Sequence, residues 1–149
     1  MASILKVDEM QGVTSAGDIT ITSEGGSATQ SLQQGVAKGW VNFNGSGTLA
    51  VRDSLNSASV TDGGTGNFTP NFTNAFSSTN YIGLGANEGE NNHSRGMKGI
   101  GVGVDGSSDI NNQTTTALQM FSNFGSTSTS NGGADDTKVG FVAYLGDLA

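Results

Sequence analysis

The feature that most limits what this chain can fold into is the arrangement of its apolar residues, which come in short alternating groups separated by clusters of Gly, Asn, Asp and Ser. Alternation with a period of two is the signature of strands that bury one face, and Gly-rich clusters between them mark turns. The apolar supply is small. Leu, Ile, Val and Phe make up 31 of 149 residues, close to the roughly 20% below which disorder becomes the default. With 24 glycines the core must be thin, and it is the patterning of scarce apolar residues that argues for a folded chain.

From Lys38 onward the strand signals are regular. Lys38 to Phe43 places Trp40 and Asn42 on one face and Val41 and Phe43 on the other, and Thr48 to Arg52 places Leu49 and Val51 together. Asn44-Gly45-Ser46-Gly47 between them has the residues a tight turn requires, because Asn and Gly accept positive φ at low cost. Further strands are expected at 58–61, 67–72, 80–86, 98–104, 115–121 and 138–145. Spacing of this kind reads as a sandwich or barrel; we expect an all-β fold, an antiparallel jelly-roll-like β-sandwich over residues 36–149. Two strands, Tyr81 to Ala86 and Gly99 to Val104, alternate glycine with apolar residues. A glycine row lets a backbone or an aromatic ring approach closely, within a sandwich or between subunits.

Residues 1–35 differ from the rest and are expected to form an extended N-terminal anchoring arm. Two short apolar segments, around Ile4, Leu5 and Val7 and around Ile19 and Ile21, are strand-like, and isolated strands need a partner sheet or subunit. These five residues are the candidates for docking on a larger particle. One or two helical turns are expected within 27–36.

Several function classes are disfavoured. Thirteen acidic against six basic residues give a net charge of −7, unlike a phosphate-tracking surface, so no nucleic-acid partner is expected. No apolar run approaches the roughly 18 residues of a membrane span, and the N-terminus lacks a secretory pattern, so no membrane insertion is expected and synthesis is placed in the cytoplasm. Cysteine is absent, which removes disulfides and thiolate ligands as substitutes for core and favours oligomerisation instead.

A search for chemistry points the same way. His93, the single histidine, lies with Glu88 and Glu90 in a polar stretch whose spacing matches no strong metal motif. Asp105 to Asp109 and Asp135-Asp136 lack calcium-loop spacing and read as turns. No nucleophile elbow, dinucleotide fingerprint or phosphate loop is present. No catalytic residue, metal or cofactor is expected, and the chain is read as a non-enzyme. Loops rich in Asn, Ser, Thr and Gly bind polar surfaces adaptably. The binding candidates are therefore 87–95, with Asn87, Glu88, Glu90, His93 and Arg95, and 123–136, with Phe124.

Three segments resemble structural proteins of marine tailed bacteriophages, the tail-fibre-like and virion appendage proteins of phages of cyanobacteria and other marine bacteria. They are Met1 to Gln11, the run KGWVNFNGSGTLAVRDS from Lys38 to Ser54 with its continuation through Val60-Thr61-Asp62 and Gly66 to Phe72, and the ending Val139 to Asp147. The run from Lys38 is the most specific. Together they cover about half the chain, while 88–130 matches no pattern of that family and the chain is short for a complete long fibre. The resemblance implies a virion component, a homotrimer whose arm docks on other virion proteins of capsid or tail while its β domain faces outward for adhesion to host polysaccharide or protein. A capsid decoration, cement or head-fibre protein is the alternative.

Overall fold

The computed structural model describes residues 4–15, 19–89, 99–102, 113–124, 133–134 and 136–149. The chain divides into two compact units, Met1–Val36 and Ala37–Ala149.

In the first unit, β1 (Thr20–Thr22) pairs antiparallel with β2 (Thr29–Ser31), and α1 (Leu32–Gly35) is a single helical turn. The hairpin is closed by local polar chemistry. Gly26 adopts φ +74°, its N–H donates to the Ser23 carbonyl, and the Ser23 hydroxyl accepts from the Ala28 N–H. Ile4 to Val7 carry no strand, contrary to expectation. The segment around Ile21 finds its partner in Thr29–Ser31, inside the stretch expected to be helical. Ser and Thr hydroxyls compete for backbone groups in a helix and are well accommodated in a strand, which confines the helix to 32–35.

In the second unit the strands are β3 (Gly39–Asn44), β4 (Ala50–Leu55), β5 (Ser57–Asp62), β6 (Asn67–Phe72), β7 (Ile82–Gly89), β8 (Gly99–Val102), β9 (Met120–Phe124), β10 (Gly133–Ala134) and β11 (Thr137–Leu145). They pair antiparallel in the order β4-β3-β11-β7-β8-β9-β6-β5, with β10 on β9. Among the described residues β7 and β8 share one register pair, Ala86 with Gly99. The sheet folds over there, so that β4-β3-β11-β7 faces β8-β9-β6-β5. Rings meet across the layers: Phe43 of β3 and Phe68 of β6 have centroids 5.1 Å apart, and Phe72 of β6 and Tyr144 of β11 4.8 Å. Eight strands in two layers, with β7-β8-β9 flanked by β11 on one side and β6 on the other in Greek-key fashion, give the jelly-roll-like β-sandwich.

One residue joins the two ends of the sheet. Asn56, between β4 and β5, has φ +54°. Its side chain accepts from the Asn74 N–H (2.7 Å) and donates to the Asn74 carbonyl (3.2 Å). Asn tolerates the left-handed region better than other residues with a Cβ, and here it turns the chain from one layer into the other.

The core is narrow and aromatic: Phe43, Phe68, Phe72, Phe76, Tyr81 and Tyr144 with Val41, Val60, Leu118, Met120 and Val142. Phe76 stacks on Tyr81 at 4.2 Å, and Phe72 meets both Phe76 and Tyr81 edge-on. On β7, Gly83 and Gly85 stand directly opposite the buried Tyr144 and Val142 of β11, with Gly83 half-buried and Gly85 exposed.

Regular pairing along β9 starts later than the alternation in 115–121 predicts. Pro70 of β6 has no N–H, and its carbonyl accepts from Leu118 N, so the missing donor falls on the β9 side. Regular pairing of β6 with β9 is accordingly interrupted after Phe68 with Met120 and resumes in the same register as a single bridge, Asn71 with Ala117, where the Phe72 N–H donates to the Thr116 carbonyl. Residues 114–117 also form a turn on the Thr114 hydroxyl, which accepts from the Ala117 N–H at 2.9 Å.

Candidate functional site

The two outer faces of the sandwich differ in chemistry, and that difference follows from strand alternation. In β3 burial alternates residue by residue, with Gly39, Val41 and Phe43 inside. Trp40, Asn42 and Asn44 therefore face out. Register then assigns the outward residues of the neighbouring strands, because directly opposed residues share a face. Trp40 stands opposite Leu55 of β4 and Ala143 of β11, and Ala143 stands opposite Leu84 of β7. The row Leu55-Trp40-Ala143-Leu84 crosses four strands without a polar side chain. On one side of it lies the pair Leu145 and Ile82, and on the other the row Asp53-Asn42-Phe141-Ala86.

These apolar side chains are open. Leu55 is 51%, Ile82 60%, Leu84 59% and Phe141 49% exposed, with Trp40, Ala86, Ala143 and Leu145 half-buried among them. Ala143, the small residue, has Trp40 and Leu84 as neighbours across the strands and Phe141 and Leu145 on the same face along its own. The rim is polar: Asp53, Asn44 and Glu88 continue the outward rows. Arg52, the extra residue of a bulge in β4, holds the rim together by donating to the carbonyls of Phe43 (3.2 Å) and Lys138 (2.5 Å).

The outer face of the other layer is lined by Ser59 and Thr61 of β5 and Asn67, Thr69 and Asn71 of β6. Its polar groups satisfy one another. Asn71 Nδ2 donates to Ser59 Oγ (3.1 Å) and Thr61 Oγ1 (2.9 Å), and Gln119 Nε2 to Asn67 Oδ1 (2.8 Å).

The residues singled out from sequence are distributed as follows. In the first unit, Ile4, Leu5 and Val7 are exposed outside regular structure, Ile21 is half exposed on β1, and Ile19 is half-buried, with its carbonyl accepting from Leu32 N. Asn87 and Glu88 lie within β7, which runs on to Gly89. Asn87 sits opposite Gly140 on the inner side and donates to Ser122 Oγ, whereas Glu88 is exposed and its carbonyl accepts from the Thr137 hydroxyl at 2.6 Å. Phe124 is the last residue of β9, paired with Gly133. Glu90, His93 and Arg95, with most of both candidate loops, lie outside the described residues, as do Asp105 to Asp109 and Asp135.

The apolar outer face was not among those candidates, although a signal for it was present. Trp40 alternates against Val41 and Phe43, and Ile82 and Leu84 against glycines, so a core on the Phe43 and glycine sides leaves these large residues outside.

Among the described residues no group of three or more His, Cys, Asp or Glu is placed to hold a metal ion, and no helix is long and apolar enough to cross a membrane. Comparison with known proteins finds no matching family model, no similar curated protein and no similar solved structure.

Proposed function

We propose that this chain is a non-catalytic structural protein of a tailed-phage particle, a homotrimeric tail-fibre-like or short appendage protein. Its first 35 residues dock on neighbouring virion proteins, and its β-sandwich is presented outward for host adhesion. The observation that carries the assembly part of this reading is the open apolar face built on Leu55, Trp40, Leu84 and Phe141. A chain with so few apolar residues leaves several of the largest outside its core, which is the distribution expected of a subunit completed by its neighbours. The setting rests on the sequence resemblance of Lys38 to Ser54 and of both chain ends to marine phage appendage proteins. The exposed Ile4, Leu5 and Val7 supply the arm with apolar groups for docking.

Gold-labelled antibody against the chain, applied to intact particles of the phage that encodes it, tests the reading by electron microscopy. Label on the tail or its appendages is the expected result. Label confined to the head would replace it with the capsid decoration or head-fibre reading, and particles free of label would remove the virion role.

A further inference from the structure

We infer that the outer face of β4-β3-β11-β7 is the contact between copies of this chain, packed on a neighbouring copy through Ala143 and the large apolar residues around it. This deepens the assembly reading above and rests on it, but not on where in a particle the protein sits.

The chemistry of the face selects the occupant. A sheet face presents side chains only, since its backbone N–H and C=O groups are already used in the ladders. An extended peptide laid across Leu55-Trp40-Ala143-Leu84 would have its own backbone groups desolvated against an apolar surface with nothing to bond to. A second sheet brings a backbone that is already satisfied, and sheets pack face to face through such rows.

The area also suits this partner. A half-exposed large side chain presents on the order of 100 Å², so the four exposed residues and their half-buried neighbours cover about 400–600 Å², the upper range of patches on monomers. Set inside the polar rim of Asp53, Asn44 and Glu88, that is the apolar centre of an interface of roughly 800 Å² per partner, the size stable complexes use. Ala143 beside the larger Trp40, Leu84 and Phe141 gives the face an uneven side-chain profile on which the sheet of a neighbouring copy can pack.

Charge points to the same face. Each chain carries a net charge of −7, so copies repel over most of their surface. The row Leu55-Trp40-Ala143-Leu84 and the pair Leu145-Ile82 are uncharged, so approach through them brings no like charges together at the centre of the contact. Association through them should strengthen with salt, because screening removes the repulsion and leaves the apolar contact intact.

The test is sedimentation velocity and light scattering on the purified full-length chain at micromolar concentration, in low and high salt. The wild-type chain should be an oligomer that tightens with salt. Leu84→Lys places a charge at the end of the row, on a side chain the subunit does not bury, and should weaken association at least about 30-fold while the thermal unfolding curve is retained. Thr69→Lys puts the same charge on the outer face of the opposite layer and should leave the oligomer unchanged. A wild-type monomer, or an oligomer that Leu84→Lys leaves intact, overturns the inference. If particle labelling still finds the protein on virions in those cases, the virion reading stands and another partner covers the face. A face-dependent oligomer absent from particles would be the reverse result.

Discussion

Phe43 of β3 lies across Gly140 of β11: the two are register partners, and a Cβ on Gly140 would come within 2.5 Å of the Phe43 Cζ. Real Cβ atoms do not approach a ring that closely, so any side chain at 140 displaces Phe43. Phe43 in turn packs on Phe68 of the opposite layer, and the displacement is carried across the sandwich.

Gly140→Ala is therefore expected to destabilise the protein by about 1–3 kcal/mol, the cost of overpacking a filled core. Urea denaturation of the two chains measures it. A loss below about 0.5 kcal/mol, within the scatter of surface substitutions, would mean that the ring has room to move.

Asn56 holds the corner between the layers with a left-handed backbone and two side-chain hydrogen bonds to Asn74. Asn56→Ala loses both bonds and places an ordinary Cβ at φ +54°, for an expected cost of about 2–3 kcal/mol. Asn56→Gly relieves the backbone and loses only the bonds, so it should be the milder change. Equal unfolding midpoints for the two variants would show that backbone conformation at 56 contributes nothing.

The two tyrosines predict opposite outcomes for the same deletion. The Tyr81 hydroxyl reaches the carbonyls of Thr114 (2.9 Å) and Ala117 (3.0 Å), whereas the buried Tyr144 hydroxyl has no hydrogen-bond partner among the described residues. Tyr81→Phe should cost about 1 kcal/mol, and Tyr144→Phe should be neutral or stabilising, since it removes a desolvated group that gains nothing in return. Thermal melts of the two variants decide this, and a destabilised Tyr144→Phe would reveal a partner for that hydroxyl.

Burial raises the pKa of both tyrosines above the ordinary value, and for Tyr144 the neighbouring Tyr81 adds to the effect. The fold favours the protonated phenols, so their contribution is complete below the unfolded-chain pKa of about 10. Above that pH the unfolded chain releases protons that the folded chain keeps, and stability falls as pH rises towards the folded values. Denaturation midpoints should decline from about pH 10 upward, less steeply in Tyr144→Phe. Identical slopes in the two chains would show that Tyr144 does not carry the alkaline loss.

Much of the fold was legible because alternation is local. Val41 and Phe43 against Trp40 and Asn42 identify a strand and its two faces from adjacent residues, and the predicted strand 67–72 has the bounds of β6. The strand expected at 115–121 forms in part: Met120 and Phe121 lie in β9, whereas 117 and 118 make only isolated bridges because Pro70, far away in sequence, lacks the N–H that would continue the ladder. The strand at Ile21 is legible in the sequence, but its pairing with Thr29–Ser31 is not, because the turn that joins them is closed by Ser23 and Gly26 and hardly at all by apolar pattern.

The amino-acid pattern by itself determined that this is an all-β chain with a thin core, since period-two alternation needs only neighbours along the chain. Which side of each strand became the core was decided by the tertiary structure. Ile82-Gly83-Leu84-Gly85 reads equally well with either face inward, and only register with the buried Tyr144 and Val142 of β11 puts the glycine side on the core-facing side and leaves Ile82 and Leu84 open. The assembly surface is a product of that choice: it joins Leu55, Trp40, Ala143 and Leu84 from four strands, and register between distant segments is what makes them neighbours.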